Sequence, residues 1–261
     1  MQVQGQLVVV GTGIMLGAHL TPRCQAFIAD ADVVFAAVTD ALTEQWLRSL
    51  NPSLESFAPL YQQGKPRSQT YQQMVDQLLA QVRLGKKVVA AFYGHPGVFA
   101  QVAEMAIRAA REEGYVAQME PGISAADCLH ADLQIDPAKV GCCYMEASQL
   151  LFYRRTIDVT AYLVLWQVAL AGDITLSQLQ SQSALIQVLV EHLQQWYPAD
   201  HPVVVYEAAS LPFLNVRRDT MALSELVHAT LNLKSTLVIP PAQPLQPNQA
   251  MMARLKQLQS Q

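Results

Sequence analysis

The chain has 261 residues, half of them apolar, which is enough to bury one large core or two modest ones. Its 17 basic and 21 acidic residues leave a net charge of -4, so it offers no general attraction for a phosphate backbone, and nucleic acid drops out as an expected partner. The four cysteines, Cys24, Cys128, Cys142 and Cys143, show no C-x-x-C spacing and read as small buried hydrophobes of a reduced compartment, with no metal site expected.

The opening MQVQGQLVVVGTG carries no basic n-region and no small-residue cleavage site, and it runs directly into a strand-like valine run. The longest apolar run, Tyr162 to Ala171, is interrupted by Gln167 and is too short to span a bilayer. A soluble cytoplasmic protein with no membrane partner is expected.

Over the first 120 residues, short β-branched runs alternate with amphipathic helical patterns, the order that builds a parallel sheet with crossover helices. Strands are predicted at Leu7 to Val10, Asp32 to Ala37, Lys87 to Tyr93 and Tyr115 to Met119. Helices are predicted at Pro22 to Ala29, Leu42 to Leu50, Ser68 to Leu84 and Val98 to Glu113. In the third helix, Tyr71, Met74, Val75, Leu78, Leu79 and Val82 form an apolar stripe of helical period, and Gly85 supplies the C-terminal stop.

Pro121-Gly122 punctuates the chain, and a second, smaller α/β domain with a mixed sheet is predicted over 121–240 after a first over 1–120. Within it, a helix is expected at Ser124 to Ala131 and another at Ala184 to Trp196. Strands are expected at Cys143 to Ala147, Tyr162 to Val168, Val203 to Glu207 and Leu237 to Ile239. The rest, 241–261, is a Pro/Gln-rich tail whose last segment, MMARLKQLQSQ, can form one short helix.

Three motifs stand where strands give way to helices. Gly11-Thr12-Gly13 permits close backbone approach, although Gly17 falls one position too late for the dinucleotide fingerprint. Tyr93-Gly94-His95-Pro96-Gly97-Val98-Phe99 lies at the carboxyl end of a strand, the edge where open α/β sheets bind ligands. Pro121-Gly122-Ile123-Ser124-Ala125 marks the domain boundary, with Ser124 a good N-cap. Taken singly, each has a plain structural reading as a turn or cap, Tyr71 reads as a core tyrosine and Arg67 as a solvated charge.

Together these motifs resemble the tetrapyrrole methylase superfamily. The run Arg67-x-x-x-Tyr71, Tyr93-Gly-His-Pro-Gly-Val-Phe, Pro121-Gly-Ile-Ser-Ala, Trp166-Gln167 and Ser235-Thr236-Leu-Val-Ile-Pro-Pro closely resembles the borosin peptide backbone α-N-methyltransferases, over residues 6 to 241. The resemblance implies a two-domain α/β fold, a largely parallel N-terminal sheet and a smaller mixed C-terminal one, with S-adenosylmethionine bound in the cleft between them and S-adenosylhomocysteine as product. It implies cofactor contacts at Gly11, Gly13, Tyr93, His95, Val98, Phe99, Ser124, Ala125, Gln167, Ala209, Ser235 and Thr236. The implied catalytic set is Arg67, Tyr71, Tyr93 and Tyr61, in a homodimer whose subunits help enclose each other's sites.

Fused members of that family carry an apolar core peptide of their own, whereas this sequence closes on a Gln, Lys and Arg-bearing tail. It therefore resembles the split type, forming a complex with a separate precursor peptide and methylating it iteratively. A tetrapyrrole carbon methyltransferase and a noncatalytic cofactor- or peptide-binding module are the alternatives.

An amide nitrogen is a poor nucleophile because its lone pair is delocalised into the carbonyl. Freeing it takes a base for the N–H proton and a donor for the carbonyl oxygen. A tyrosine acts as a base near neutrality only if a cation lowers its pKa, and Arg67, one turn from Tyr71, is such a cation. Either Tyr71 or Tyr61 is expected to take the proton, with Tyr93 aligning acceptor and methyl group.

Overall fold

The computed structural model describes residues 5–178 and 180–260; Gln261, at the end of the predicted tail helix, and residues 1–4 of the opening stretch lie outside them. The chain divides into two compact units, each with its own sheet: Met1–Ile135, Asp173–Leu179 and Glu207–Arg217 form the first, and Asp136–Gly172, Gln180–Tyr206 and Arg218–Gln261 the second. Where the sequence places the opening of the second domain at 121, residues 121–135 pack with the first unit, and two later segments return to it.

In the first unit, β1 (Gln6–Gly11), α1 (Pro22–Asp30), β2 (Val33–Ala37), α2 (Ala41–Leu50), β3 (Leu54–Ser56), α3 (Arg67–Arg83), β4 (Lys87–Phe92), α4 (Gln101–Glu112), β5 (Val116–Glu120) and α5 (Ala125–Leu133) follow one another. The strands form a parallel sheet in the order β3-β2-β4-β1-β5. A parallel sheet is covered on both faces, so its central strands must be apolar throughout. Successive side chains point to opposite faces, and the residues sort accordingly. Leu7, Val9, Val33, Phe35, Val88 and Ala90 join the core under α3 and α4, while Val8, Val10, Val34, Ala36, Val89 and Ala91 join the one under α1 and α2.

The apolar stripe of α3 is buried as its period requires: Met74, Val75, Leu78, Leu79 and Val82 enter the core, and Tyr71 packs at its margin. The helix ends in a Schellman turn, with Gly85 N–H on the Val82 carbonyl at 2.9 Å and Lys86 N–H on that of Gln81 at 3.4 Å. Gly85 takes the left-handed φ of +80° that this turn demands.

The second unit contains α6 (Pro137–Val140), β6 (Cys142–Glu146), α7 (Ala147–Phe152), β7 (Tyr162–Trp166), α8 (Ser183–Leu193), β8 (Pro202–Glu207), β9 (Arg217–Ala222), β10 (Thr236–Ile239) and α9 (Gln249–Gln259), with strands β8 and β9 reaching the first unit's segment at their ends. Its sheet runs β6-β7-β10-β8-β9, with β6 parallel to β7 and β10 antiparallel to both its neighbours. The mixed character is as expected, but the sheet is not the smaller one by strand number, since each sheet has five.

Two boundaries differ from the sequence reading for the same reason. Phe99 and Gln167 both have φ of +53°, a left-handed backbone that neither helix nor strand accepts. Helix α4 therefore starts at Gln101, leaving Val98 and Phe99 in the loop, and β7 stops at Trp166, one residue before Gln167.

Candidate functional site

The three motifs meet at the carboxyl edge of the parallel sheet because their glycines let three backbones touch. A Cβ on Gly11 would stand 2.5 Å from the Gly94 oxygen and 2.7 Å from Gly122 Cα; one on Gly122 would stand 2.3 Å from the same oxygen. Gly13 and Gly94 exchange both backbone hydrogen bonds, at 3.1 and 2.9 Å. Gly11, Gly13, Gly94 and Gly122 thus form a locked floor for the loops that begin there.

On that floor, Tyr93 is anchored by its N–H on the Ala37 carbonyl at 3.0 Å. Burial pushes its phenol far above the ordinary value, and the charges of Cys128 and Asp40 add to the shift, so Tyr93 is a proton donor at neutral pH. His95 accepts from Gly97 N–H at 2.9 Å through Nδ1, and Val98 and Phe99 beyond it are exposed. Ser124 caps α5 reciprocally with Asp127: Asp127 N–H donates to the Ser124 hydroxyl, while the Asp127 carboxylate accepts from Ser124 N–H and Oγ, both at 2.7 Å. Burial pushes the Asp127 carboxyl upward, yet the two bonds from Ser124 and the charges of His95 and His130 hold it below the usual range. The His95 loop and the first turn of α5, which begins with Ala125, are therefore electrostatically linked.

Ala209 is buried in the returning segment 207–217, which is tied to the Gly11-Thr12-Gly13 loop region by Leu16 N–H on the Ser210 carbonyl at 2.9 Å.

A second group lies at the start of α3. Tyr61 follows a short 3-10 turn, Ala58–Leu60, and Arg67 is the first residue of the helix. Burial and the neighbouring Tyr71 push the Tyr61 phenol up to about 12, while Arg67 pulls it down by less. Tyr61 thus feels the charges of both Arg67 and Tyr71, but the expected phenolate at Tyr61 is opposed. Tyr61 keeps 43% of its surface exposed, so its removal from water is partial, yet that partial desolvation outweighs what the guanidinium returns.

In the second unit, Gln167 ends β7 in its left-handed conformation, and Ser235 and Thr236, both buried, open β10. The antiparallel register, Leu237 opposite Leu165, brings these three predicted residues to one end of the sheet. The Ser235 hydroxyl accepts from Asn232 N–H at 2.9 Å.

Several residues that act on this site were not anticipated from sequence. Asp40 and Cys128 act on Tyr93, and Asp127 acts on the α5 cap. Asp127 was detectable in the S-x-x-D spacing with Ser124. Asp40 and Cys128 left no local signal, because only the tertiary fold brings the segments after β2 and β5 to Tyr93.

The donor set suits a nucleoside-sized ligand with polar and apolar parts: a protonated phenol, an imidazole, backbone N–H groups of the loops and the exposed apolar Val98 and Phe99. Among the described residues there is no cluster able to hold a metal ion, and no helix is long and apolar enough to cross a membrane.

Comparison with known proteins agrees with this layout. The gymnopeptides methyltransferase/precursor of Gymnopus fusipes is 40% identical over 258 residues, covering 97% of this chain and 61% of that protein. The type I borosin cyclic peptide methyltransferase/precursor of Coprinopsis marcescibilis is 44% identical, over 80% of this chain and 54% of its own length. This chain thus spans little more than half the length of these relatives. The crystal structure of uroporphyrin-III-C-methyltransferase from Thermus thermophilus shares the fold at a TM-score of 0.64 and 19% identity, covering 91% of this chain and 93% of that one. The profile described as Tetrapyrrole (Corrin/Porphyrin) Methylases matches residues 6–224, most of both units, and the chain belongs to that family.

Proposed function

We propose that this protein is an S-adenosylmethionine-dependent methyltransferase that methylates backbone amides, one after another, on a separate peptide of the borosin class. The observation that carries the reading is the Tyr61, Arg67 and Tyr71 group at the head of α3, in a member of a methylase family with borosin methyltransferase/precursor relatives. An amide acceptor needs proton removal at nitrogen and donor support at oxygen, and this group contains both kinds of atom.

When bound, S-adenosylmethionine supplies an electrophilic methyl group. Tyr93, His95, Val98, Phe99 and the capped start of α5 with Ala125 are the residues proposed to hold it, with Gln167, Ser235 and Thr236 as further proposed contacts. Since burial keeps Tyr61 and Tyr93 protonated, they serve as donors, Tyr61 toward the acceptor carbonyl. Tyr71, one turn from the Arg67 guanidinium, is assigned the base that takes the amide proton onto its phenolate oxygen. Arg67 offsets the negative charge that the deprotonated acceptor carries on oxygen.

The test is to incubate the purified protein with S-adenosylmethionine and a candidate precursor peptide and to localise added methyl groups by fragmentation. Successive increments on backbone nitrogens support the reading. Methylation of side chains or of a tetrapyrrole instead refutes the amide acceptor, and methylation confined to the enzyme's own chain refutes the separate peptide.

A further inference from the structure

Helix α3 begins without a cap of its own. Pro66 stands at its N-cap position and offers no side-chain bond to the first turn. The exposed helix-end donors need a partner elsewhere, and the first of them finds one far along the chain. Arg67 N–H donates to the Leu176 carbonyl at 3.2 Å, Gly64 N–H to that of Ser177 at 3.2 Å, and Gln63 Nε2 to Gln178 Oε1 at 2.9 Å. The stretch 173–178 therefore caps α3 from outside, within the first unit.

One carboxylate shapes that stretch. Asp173, only 6% exposed, accepts Thr175 N–H at 3.0 Å and Thr175 Oγ1 at 2.6 Å on one oxygen. Its other oxygen accepts Ser177 N–H at 3.0 Å and Gln178 N–H at 2.9 Å. Burial pushes this carboxyl upward, and the four bonds outweigh it and hold it below the usual range. Between the bonded positions Leu176, whose carbonyl caps Arg67, is held at φ +50°, a left-handed conformation that a side-chain-bearing residue disfavours. Such a backbone persists only where its surroundings over-determine it, and the Asp173 bonds on both sides do so.

We propose that Asp173 is a positioning residue for the methyl-transfer site: by shaping the loop whose Leu176 carbonyl caps α3, it fixes the backbone of Arg67 and the bearing of Tyr71 one turn on. The assignment rests on the reading in which Arg67 and Tyr71 act on the acceptor amide. A carboxylate with four donors is hard to replace, because an amide of the same size loses acceptor capacity on one side and brings donors that face donors.

The test uses the full chain, with Asp173→Asn and the milder Thr175→Val, which removes one of the four donors. In Asp173→Asn, amide hydrogen exchange over residues 63–70 should rise at least tenfold. Turnover should fall about tenfold to a hundredfold, as misplaced catalytic groups do, while cofactor affinity stays within twofold. Thr175→Val should move the same readouts in the same direction by a smaller factor, and it decides the matter if Asp173→Asn does not fold. In an Arg67→Lys background, Asp173→Asn should cost less than about twofold further, since both act through the same group. Unchanged exchange over 63–70 in both variants, or fully additive turnover losses, would overturn the proposal. If the wild-type protein methylates no peptide amide, the functional reading has failed, and the exchange measurement alone still decides whether Asp173 fixes the start of α3.

Discussion

The locked glycine floor makes a demanding prediction for Gly122→Ala. Gly122 does not adopt a left-handed φ, so the cost of a side chain there is purely steric. The new Cβ would meet the Gly94 oxygen at 2.3 Å, Gly11 Cα at 2.8 Å and Gly11 C at 3.0 Å. All three are backbone atoms, one on Gly94 and two on Gly11, so no rotamer change relieves the contact and the segments must separate. Overpacking of this kind costs about 3 kcal/mol, at the upper end of its usual range. At about 2–4 °C per kcal/mol, the melting temperature should drop by roughly 6–12 °C.

Gly114→Ala is the matched control. Gly114 is left-handed at +84°, and a Cβ there would meet nothing within 4 Å, so the substitution should cost only the conformational 1–2 kcal/mol or so. Scanning calorimetry and titration with S-adenosylmethionine read the two outcomes. Gly122→Ala should also weaken cofactor binding at least tenfold, because the loops it spreads carry His95 and Ser124, and Gly114→Ala should leave binding unchanged. If Gly122→Ala melts no lower than Gly114→Ala and binds cofactor equally well, the three loops are not held by backbone contact.

Three further outcomes follow from the electrostatics. With its phenol pushed up to about 12, Tyr61 stays neutral through the working range, so Tyr61→Phe should lower kcat/KM by one constant factor between about pH 7 and 10. A penalty that grows with pH would mean that the phenolate is the active form. Asp127→Ala should cost about 1 kcal/mol at pH 7 by removing the reciprocal cap of α5. The Asp127 carboxyl is held low in the folded state, so its stabilisation is present above the ordinary carboxylate pKa of about 3.9 and is lost as the pH falls through the folded value. Urea melts of variant and wild type should converge there, and a gap that persists at pH 2 would refute the charge-based account. Tyr71→Phe and Arg67→Ala should each retain cofactor affinity but lose most turnover; unchanged rates in both would remove them from the mechanism.

Much of the first unit was legible because its strands are β-branched runs buried on both faces and its helices carry a stripe of period 3.6. Gly85 marked the end of α3 for a reason that only glycine satisfies. Strand β3 escaped because three residues, Leu54 to Ser56, carry no period. Strand β9 escaped because Arg217-Arg218-Asp219-Thr220 at a sheet edge shows no apolar alternation. At the candidate site, residues adjacent to glycine motifs could be named in advance, since those motifs advertise a backbone requirement. Asp173 could not, because its importance lies in which helix its loop touches, and contact between residues 67 and 176 is written nowhere local. Tyr61 shows the same limit in energy: its neighbour Arg67 is visible in the sequence, but the burial that outweighs it is not.

The floor of Gly11, Gly94 and Gly122 also sets an order of assembly. Gly11 emerges early in synthesis, yet its two contacts belong to loops after β4 and β5, and β5 lies at the sheet edge, paired with β1. Such distant parallel pairings close late, since the intervening chain must surrender its freedom first. A nascent chain short of Gly122 therefore has strands but no glycine floor, and the ribosome releases a sheet before it releases the loops of the candidate site. A cofactor that engages these loops selects chains in which β5 is already seated, so in refolding experiments it should slow unfolding more than it speeds folding.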